Sequence, residues 1–245
     1  MFDASVLDSI RSLNIQVGRG NDSTIIRSIE SQMPDGDFLQ LAMDLDAVAK
    51  NFDFKWSKAS WTVADGRGDG TLLYMEYQAM VDNEPLLLAR RLSNRDGELI
   101  AHHELLGLPT RLQRLNISRA INNALLTQYK KLLVSSIELK AGLDAGGYVW
   151  AKAGFSATER ADIDETLLKA TQNSIVAPSV IKALEGEVER HYAKNPDNPD
   201  PFPIWRWANN APLKAMLIVS SWHGVLNLRN KQELSRFEEY LIPKP

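Results

Sequence analysis

The sequence predicts a mixed α/β fold in which a mainly antiparallel sheet is flanked by helices. Three observations predict it. Between residues 52 and 106, strand-like runs follow one another across short polar turns, as in an antiparallel meander. An amphipathic helix pattern then sits between two strand patterns. After Phe155 helical spacing dominates, giving a helical C-terminal third.

Taken in order, the N-terminal part reads as helices. Asp3 can cap a helix over Val6, Leu7, Ile10 and Leu13, and Ile15 and Val17 alternate in a short strand before Gly18-Arg19-Gly20. Asn21 or Asp22 opens a second helix with Ile25, Ile26 and Ile29 inward, and Asp37 a third with Phe38, Leu41, Leu45 and Val48 on one side. Trp61-Thr62-Val63 end a strand before the DGRGDG turn cluster, and TLLYMEYQAMV forms the next. Asp82-Asn83 then turns the chain into PLLLARRL, and Asn94 to Gly97 turns it into ELIAHHELLGL. Arg90 and Arg91 read as one solvated and one paired arginine on a strand. Beyond Phe155, Thr158 to Thr171 is helical with Ile163, Leu167 and Ala170 inward, and Pro178 starts another helix. KNPDNPDPFP (194–203), with four prolines in ten residues, reads as a linker. The tail continues with IWRWANN, LKAMLIVSSW, a turn at His223-Gly224, VLNL and a helix from Lys231 to Leu241. Trp205, Trp207 and Trp222 form a packing cluster; an exposed Trp205/Trp207 edge would instead mark a partner surface.

Composition narrows the function. The 245 residues are 44% hydrophobic and 24% charged, a globular balance, and the net charge of −3 argues against nucleic acid bound by bulk charge. Cysteine is absent, which excludes disulfides, a zinc finger and a catalytic thiol. No run is long and apolar enough for a membrane helix, and the acidic start does not resemble a signal peptide. A cytoplasmic protein is expected, a location compatible with delivery by a specialised secretion system.

Residues 98–155 run as strand, polar turn PTRLQRLNIS, helix RAINNALLTQYKK, strand VSSIELKA and the block GGYVWAKAGF. On the helix, Ile117, Ile121, Ala124, Leu125 and Leu132 share one face, and Arg119, Asn122, Asn123, Lys130 and Lys131 the other. The order resembles the acyl-CoA-binding core of the GNAT (N-acetyltransferase) superfamily. That family carries Gln/Arg-x-x-Gly-x-Gly/Ala between its fourth strand and the following helix; here Gln113, Asn116 and Ser118 stand at those positions. WAKAGF (150–155) is similar to the family's aromatic block, with Trp150 where the general-acid tyrosine falls and Tyr148 on another helix face. The resemblance covers about residues 52–155 and, with the N-terminal helices, implies a GNAT-like core over 1–155. Residues 156–245 are then a helical extension that includes the 194–203 linker and a C-terminal strand and helix.

The resemblance implies an N-acyltransferase with acetyl-CoA or another acyl-CoA as co-substrate and an amine, on a small molecule or a protein, as acceptor. Backbone amides of Asn116, Ile117, Ser118 and Arg119 would hold the pyrophosphate at a helix N-terminus, with Gln113 and the guanidiniums of Arg111 and Arg114 alongside. Alternation places His102 with Glu104 on one strand face and His103 with Leu105 on the other. Glu104 or His102 is the candidate general base, and the same alternation separates His102, His103 and Glu104 too far for a metal site. Gly146-Gly147 reads either as a passage for the pantetheine arm or as a helix start. The alternative reading is a catalytically inactive GNAT-like protein-binding module, an effector or assembly protein; the GGY-W-GF block and the tail have a faint likeness to bacterial toxin, effector and phage-associated domains.

Overall fold

The computed structural model describes residues 12–13, 15–18, 37–63, 70–142, 145–197 and 199–243. The helix expected from Asn21/Asp22, and most of the one expected over Asp3–Leu13 and of the DGRGDG turn, lie outside these residues. The fold is mixed α/β, and the chain divides into two units, residues 1–137 with 241–245 and residues 138–240.

In the first unit β1 (Ile15–Gly18) lies parallel to β2 (Lys58–Val63), and α1 (Phe38–Asn51) lies between them in sequence. From β2 the chain runs as an antiparallel meander through β3 (Thr71–Val81), β4 (Glu84–Arg95) and β5 (Glu98–Gly107). The tight turns match the sequence: Asp82 and Asn83, and Asp96 with Gly97, adopt the positive φ such hairpins require. β5 is followed by a short 3₁₀ turn at Thr110–Leu112 and then α2 (Ile117–Lys131). β6 (Ser136–Ala141) carries the chain into the second unit.

Alternation along β3 buries Leu73, Met75, Tyr77, Ala79 and Val81. The register aligns Trp61, Met75, Arg90 and His103 in one buried row across four strands. α1 lays Phe38 edge-on against Trp61 at 5.9 Å, and the Trp61 indole N–H donates to Tyr77 Oη at 2.9 Å. Asp37 caps α1 as the sequence requires, its Oδ1 accepting from Gln40 N at 3.0 Å. The same residue fastens α1 to α2: its backbone N–H donates to Gln128 Oε1 at 3.1 Å, and its carboxylate lies 3.4 Å from Lys131 Nζ.

Three details depart from the sequence reading. Neither arginine of the pair is the solvated one expected: Arg91 meets Glu104, and Arg90 is 1% exposed. Asn122 turns to the buried side of α2, beside Ile121, because Arg90 needs an acceptor there. His223-Gly224 belongs to a strand, not a turn.

The second unit orders its strands β6-β8-β7, with β7 (Ser156–Ala157) antiparallel to β8 (Trp222–Asn227). Its helices are α3 (Gly146–Lys152), α4 (Arg160–Gln172), α5 (Pro178–Tyr192), α6 (Trp205–Ala208), α7 (Lys214–Ile218) and α8 (Lys231–Leu241). The proline run joins parts of this one unit, since Phe202 is fully buried and exchanges backbone hydrogen bonds with Ala157 at 2.7 and 2.8 Å. Position 224 in β8 takes glycine because a Cβ there would meet Trp222 Cζ3 at 2.5 Å. Of the three tail tryptophans, Trp207 and Trp222 are core, while Trp205 is half-buried.

Close approach also explains Gly147. A Cβ on it would stand 2.4 Å from the Leu217 carbonyl oxygen and 2.3 Å from Ser220 Oγ, so α3 can pack there only without a side chain. At Gly146 the nearest atom would be 3.9 Å away. Gly147→Ala should therefore destabilise the protein by about 1–3 kcal/mol in chemical denaturation, the usual penalty for overpacking. Gly146→Ala should be neutral or stabilising by up to about 1 kcal/mol, from helix propensity. Equal effects of the two substitutions would contradict the packing account.

Candidate functional site

The site residues come from two places in the first unit: the paired strands β4 and β5, and the loop that leads into α2. In the β4–β5 ladder Ala89 faces Leu105 while Arg90 faces His103, so Glu104 is an extra residue on β5. This is a β-bulge, a device that interrupts a ladder and re-aims a side chain.

The bulge has a lock. Arg90 Nη1 donates to the carbonyls of Ala89 (2.8 Å) and Leu105 (2.7 Å), the two residues paired beside the extra one. Arg90 Nη2 reaches Asn122 Oδ1 on α2 at 3.4 Å, while Nε finds no acceptor among the described residues. Burial lowers the guanidinium to about 10, against the smaller opposing effects of Tyr129 and Glu104. A change of that size corresponds to a penalty on the order of 3 kcal/mol for holding the charge out of water. On the same side His103 Nε2 and Tyr129 Oη share a hydrogen bond of 3.2 Å. Burial pushes the Tyr129 phenol up, and Arg90 partly offsets this. α2 thus meets the strands through Asn122 and Tyr129, two turns apart on one face.

The opposite face carries the predicted pair. His102 Nε2 shares a 2.7 Å hydrogen bond with Ser93 Oγ, and Arg91 Nε donates to Glu104 Oε1 at 2.9 Å. Arg91 and Ser93 alternate on β4, so His102 and Glu104 share a face, as the pattern requires. The environments differ: His102 is 8% exposed, whereas the Glu104 side chain is 42% exposed. Glu104 Oε2 has no hydrogen-bonding partner among the described residues. Tyr74 faces Arg91 from β3, and burial, then Glu76 and Glu104, raise its phenol. Sequence reasoning passed over Tyr74.

Along the loop the candidate residues have separate tasks. Arg111 lies 3.1 Å from an Asp82 carboxylate oxygen and donates to the Asp53 carbonyl; Gln113 donates back to the Leu108 carbonyl at 3.2 Å. Arg119 donates to the Ile242 carbonyl at 3.2 Å, and the Ile117 side chain is core. Arg114 is exposed and makes no hydrogen bond or ion pair among the described residues. Asn116 takes a left-handed conformation (φ 65°, ψ 12°), the backbone that glycine would adopt most easily, and gives α2 no side-chain cap. Ser118, half-buried, sits in the uncapped first turn, whose amides form the positive end of the helix.

No family model matches this chain, and no curated protein matches it. Among the described residues no helix is long and apolar enough to cross a membrane.

His103 gives a test of the buried side. Burial, then Arg90 and His102, hold its imidazole well below the ordinary value of 6.5. Below that pH the unfolded chain binds a proton that the folded chain refuses, so stability falls as the pH drops toward the lowered folded value. In urea titrations the unfolding free energy should decline from pH 6.5 to 5 by up to about 1.4 kcal/mol per pH unit for this proton. His103→Gln should flatten that slope by one proton, whatever its own stability. An unchanged slope would contradict the assignment.

Proposed function

We propose that the protein is an acyl-CoA-dependent N-acyltransferase that acts on an amine acceptor. The observation that carries the reading is the bulge at Glu104, which presents an accessible carboxylate oxygen from the strand leading into the uncapped N-terminus of α2. In support, strand, polar loop, helix, strand, short helix and Gly154-Phe155 follow one another in the order of the GNAT acyl-CoA-binding core.

In this reading the acyl-CoA pyrophosphate lies against the amides of Ile117, Ser118 and Arg119, with Arg114 as the free guanidinium beside them. The amine nitrogen attacks the thioester carbonyl and loses its proton to Glu104 Oε2. The carbon–sulfur bond breaks and the thiolate leaves. Tyr74, whose raised phenol keeps its proton at neutral pH, or water returns a proton to the sulfur. His102, nearly buried and fixed to Ser93, supports the strand beside the base.

Binding and chemistry are tested separately. Acetyl-CoA at ~100 times its Kd should stabilise the protein by about 2.7 kcal/mol, visible as a raised Tm, and Arg114→Ala should shrink that rise. The absence of any rise at millimolar acetyl-CoA would remove the co-substrate. In an acetyl-transfer assay with a panel of amines, Glu104→Gln should lower kcat by about 10²–10⁴ and leave the thermal shift in place. Transfer at the wild-type rate would take Glu104 out of the mechanism.

A further inference from the structure

The second unit holds two groups of cations seated on aromatic rings and without carboxylate partners among the described residues. Several cations elsewhere meet carboxylates: Lys50 with Asp46, Lys169 with Glu165, and Arg160, which also lies 5.3 Å from the centre of the Tyr192 ring, with Asp164 and Glu189. Lys152, Arg206, Lys214 and Arg236 instead meet aromatic rings, and none of the four has a carboxylate in ion-pair reach among the described residues. Lys152 Nζ and Lys214 Nζ lie 5.5 and 5.1 Å from the centre of the Tyr148 ring, and Lys152 also donates to the phenol oxygen at 3.1 Å. The Arg236 guanidinium lies 4.0 Å from the centre of the Trp205 ring, and that of Arg206 lies 5.5 Å from it.

Both groups are built on α3 and the residue pair after it. Tyr148 and Lys152 belong to α3. Arg236 packs on Gly154, where a Cβ would lie 3.4 Å from Arg236 Cβ. Lys152, Arg206 and Lys214 are exposed, and Tyr148 and Trp205 half-buried. A ring face attracts each cation by about 0.5–1 kcal/mol at such exposure, but it does not neutralise the charge. Two pairs of positive charges therefore stand on α3, on helices α6 and α7, which pack on it, and on α8, without carboxylates in ion-pair reach among the described residues, in a chain whose net charge is −3.

Their chemistry selects a partner. The exposed Arg206 guanidinium offers the N–H fork that grips a carboxylate with two parallel hydrogen bonds, while Arg236, whose Nε is buried without a partner among the described residues, adds its charge. The rings are already occupied by cations, so they do not offer the bare stacking platforms on which single-stranded nucleic acids depend. The charges sit on four helices, α3, α6, α7 and α8, as separate points, which matches carboxylates repeated along a chain better than one compact phosphate. We propose that this surface docks an acidic, carboxylate-rich peptide segment of a partner protein. The proposal is independent of acyl transfer.

The test uses the full chain and fluorescence anisotropy with a labelled Glu-rich peptide, and a Gln-rich peptide of equal length as control. The Glu-rich peptide should bind, weaken as salt is raised, and lose at least tenfold in affinity to the Arg206→Glu/Lys214→Glu double variant. Both positions are exposed, and circular dichroism checks that the variant is folded. Lys169→Glu, a reversal on α4, should leave binding within twofold. An oligothymidylate that binds more tightly than the peptide and is lost in the double variant would overturn the proposal in favour of nucleic acid. Equal binding of the Glu- and Gln-rich peptides, or of the double variant and the wild type, would overturn it outright.

Discussion

Arg90 places a full positive charge between β4, β5 and α2, in a row otherwise filled by Trp61, Met75 and His103. Burying it is costly, and among the described residues no carboxylate forms an ion pair with it. What holds it is two charge-assisted hydrogen bonds to the carbonyls flanking the β5 bulge and a longer one to Asn122. A hydrogen bond to a charged group is worth about 1.5–3 kcal/mol, so the two short bonds offset a penalty of about 3 kcal/mol. The guanidinium also satisfies carbonyls that a bulge disturbs. The bulge in turn sets where Glu104 points, and the same side chain ties the strands to the helix whose N-terminus is the proposed pyrophosphate site. The proposed base and the proposed anion site thus depend on one buried group.

The two faces of these strands divide the work by their chemistry. On the α2 face Arg90, His103, Asn122 and Tyr129 are buried, and burial first, then Arg90 beside it, keeps the imidazole of His103 neutral. On the other face, one residue along, the row Thr62, Tyr74, Arg91 and His102 ends in a buried imidazole, and the exposed group is the neighbouring Glu104 carboxylate. The single-residue alternation of a strand separates a buried polar support from the face that carries the accessible Glu104 carboxylate. A carboxylate in the buried row would neutralise Arg90 but would compete with the backbone carbonyls for its donors.

Much of the architecture was legible because local rules sufficed. The limits of β3, the Asp37 cap, the Pro178 start of α5 and the whole of α8 follow from periodicity and capping. The shared face of His102 and Glu104 follows from alternation alone. Arg90 was misread because two rules conflict there. Leu86, Leu88 and Leu92 place it inward by alternation, while its charge argues for solvent; the tie is broken by Asn122, thirty-two residues away in sequence, and by a bulge that leaves no mark in composition. Gly147 and Gly224 were opaque for a related reason. Each is required by an atom of a neighbouring segment or side chain, not by its own turn conformation. The motif boundary at Phe155 and the packing boundary inside β6 differ because the first follows resemblance and the second follows which residues touch.

The central claim, that the buried Arg90 guanidinium fixes the bulge presenting Glu104, is tested most directly by amide hydrogen exchange on Arg90→Met. Methionine keeps much of the volume and removes the donors. In a variant whose circular dichroism shows it folded, exchange in the segments around Ala89–Arg91 and His103–Leu106 should accelerate by at least about tenfold relative to β2 and α4, or about 1.4 kcal/mol of local opening. Protection in those segments that stays at the wild-type level relative to β2 and α4 would contradict the account, because the bulge would then hold its shape without the arginine.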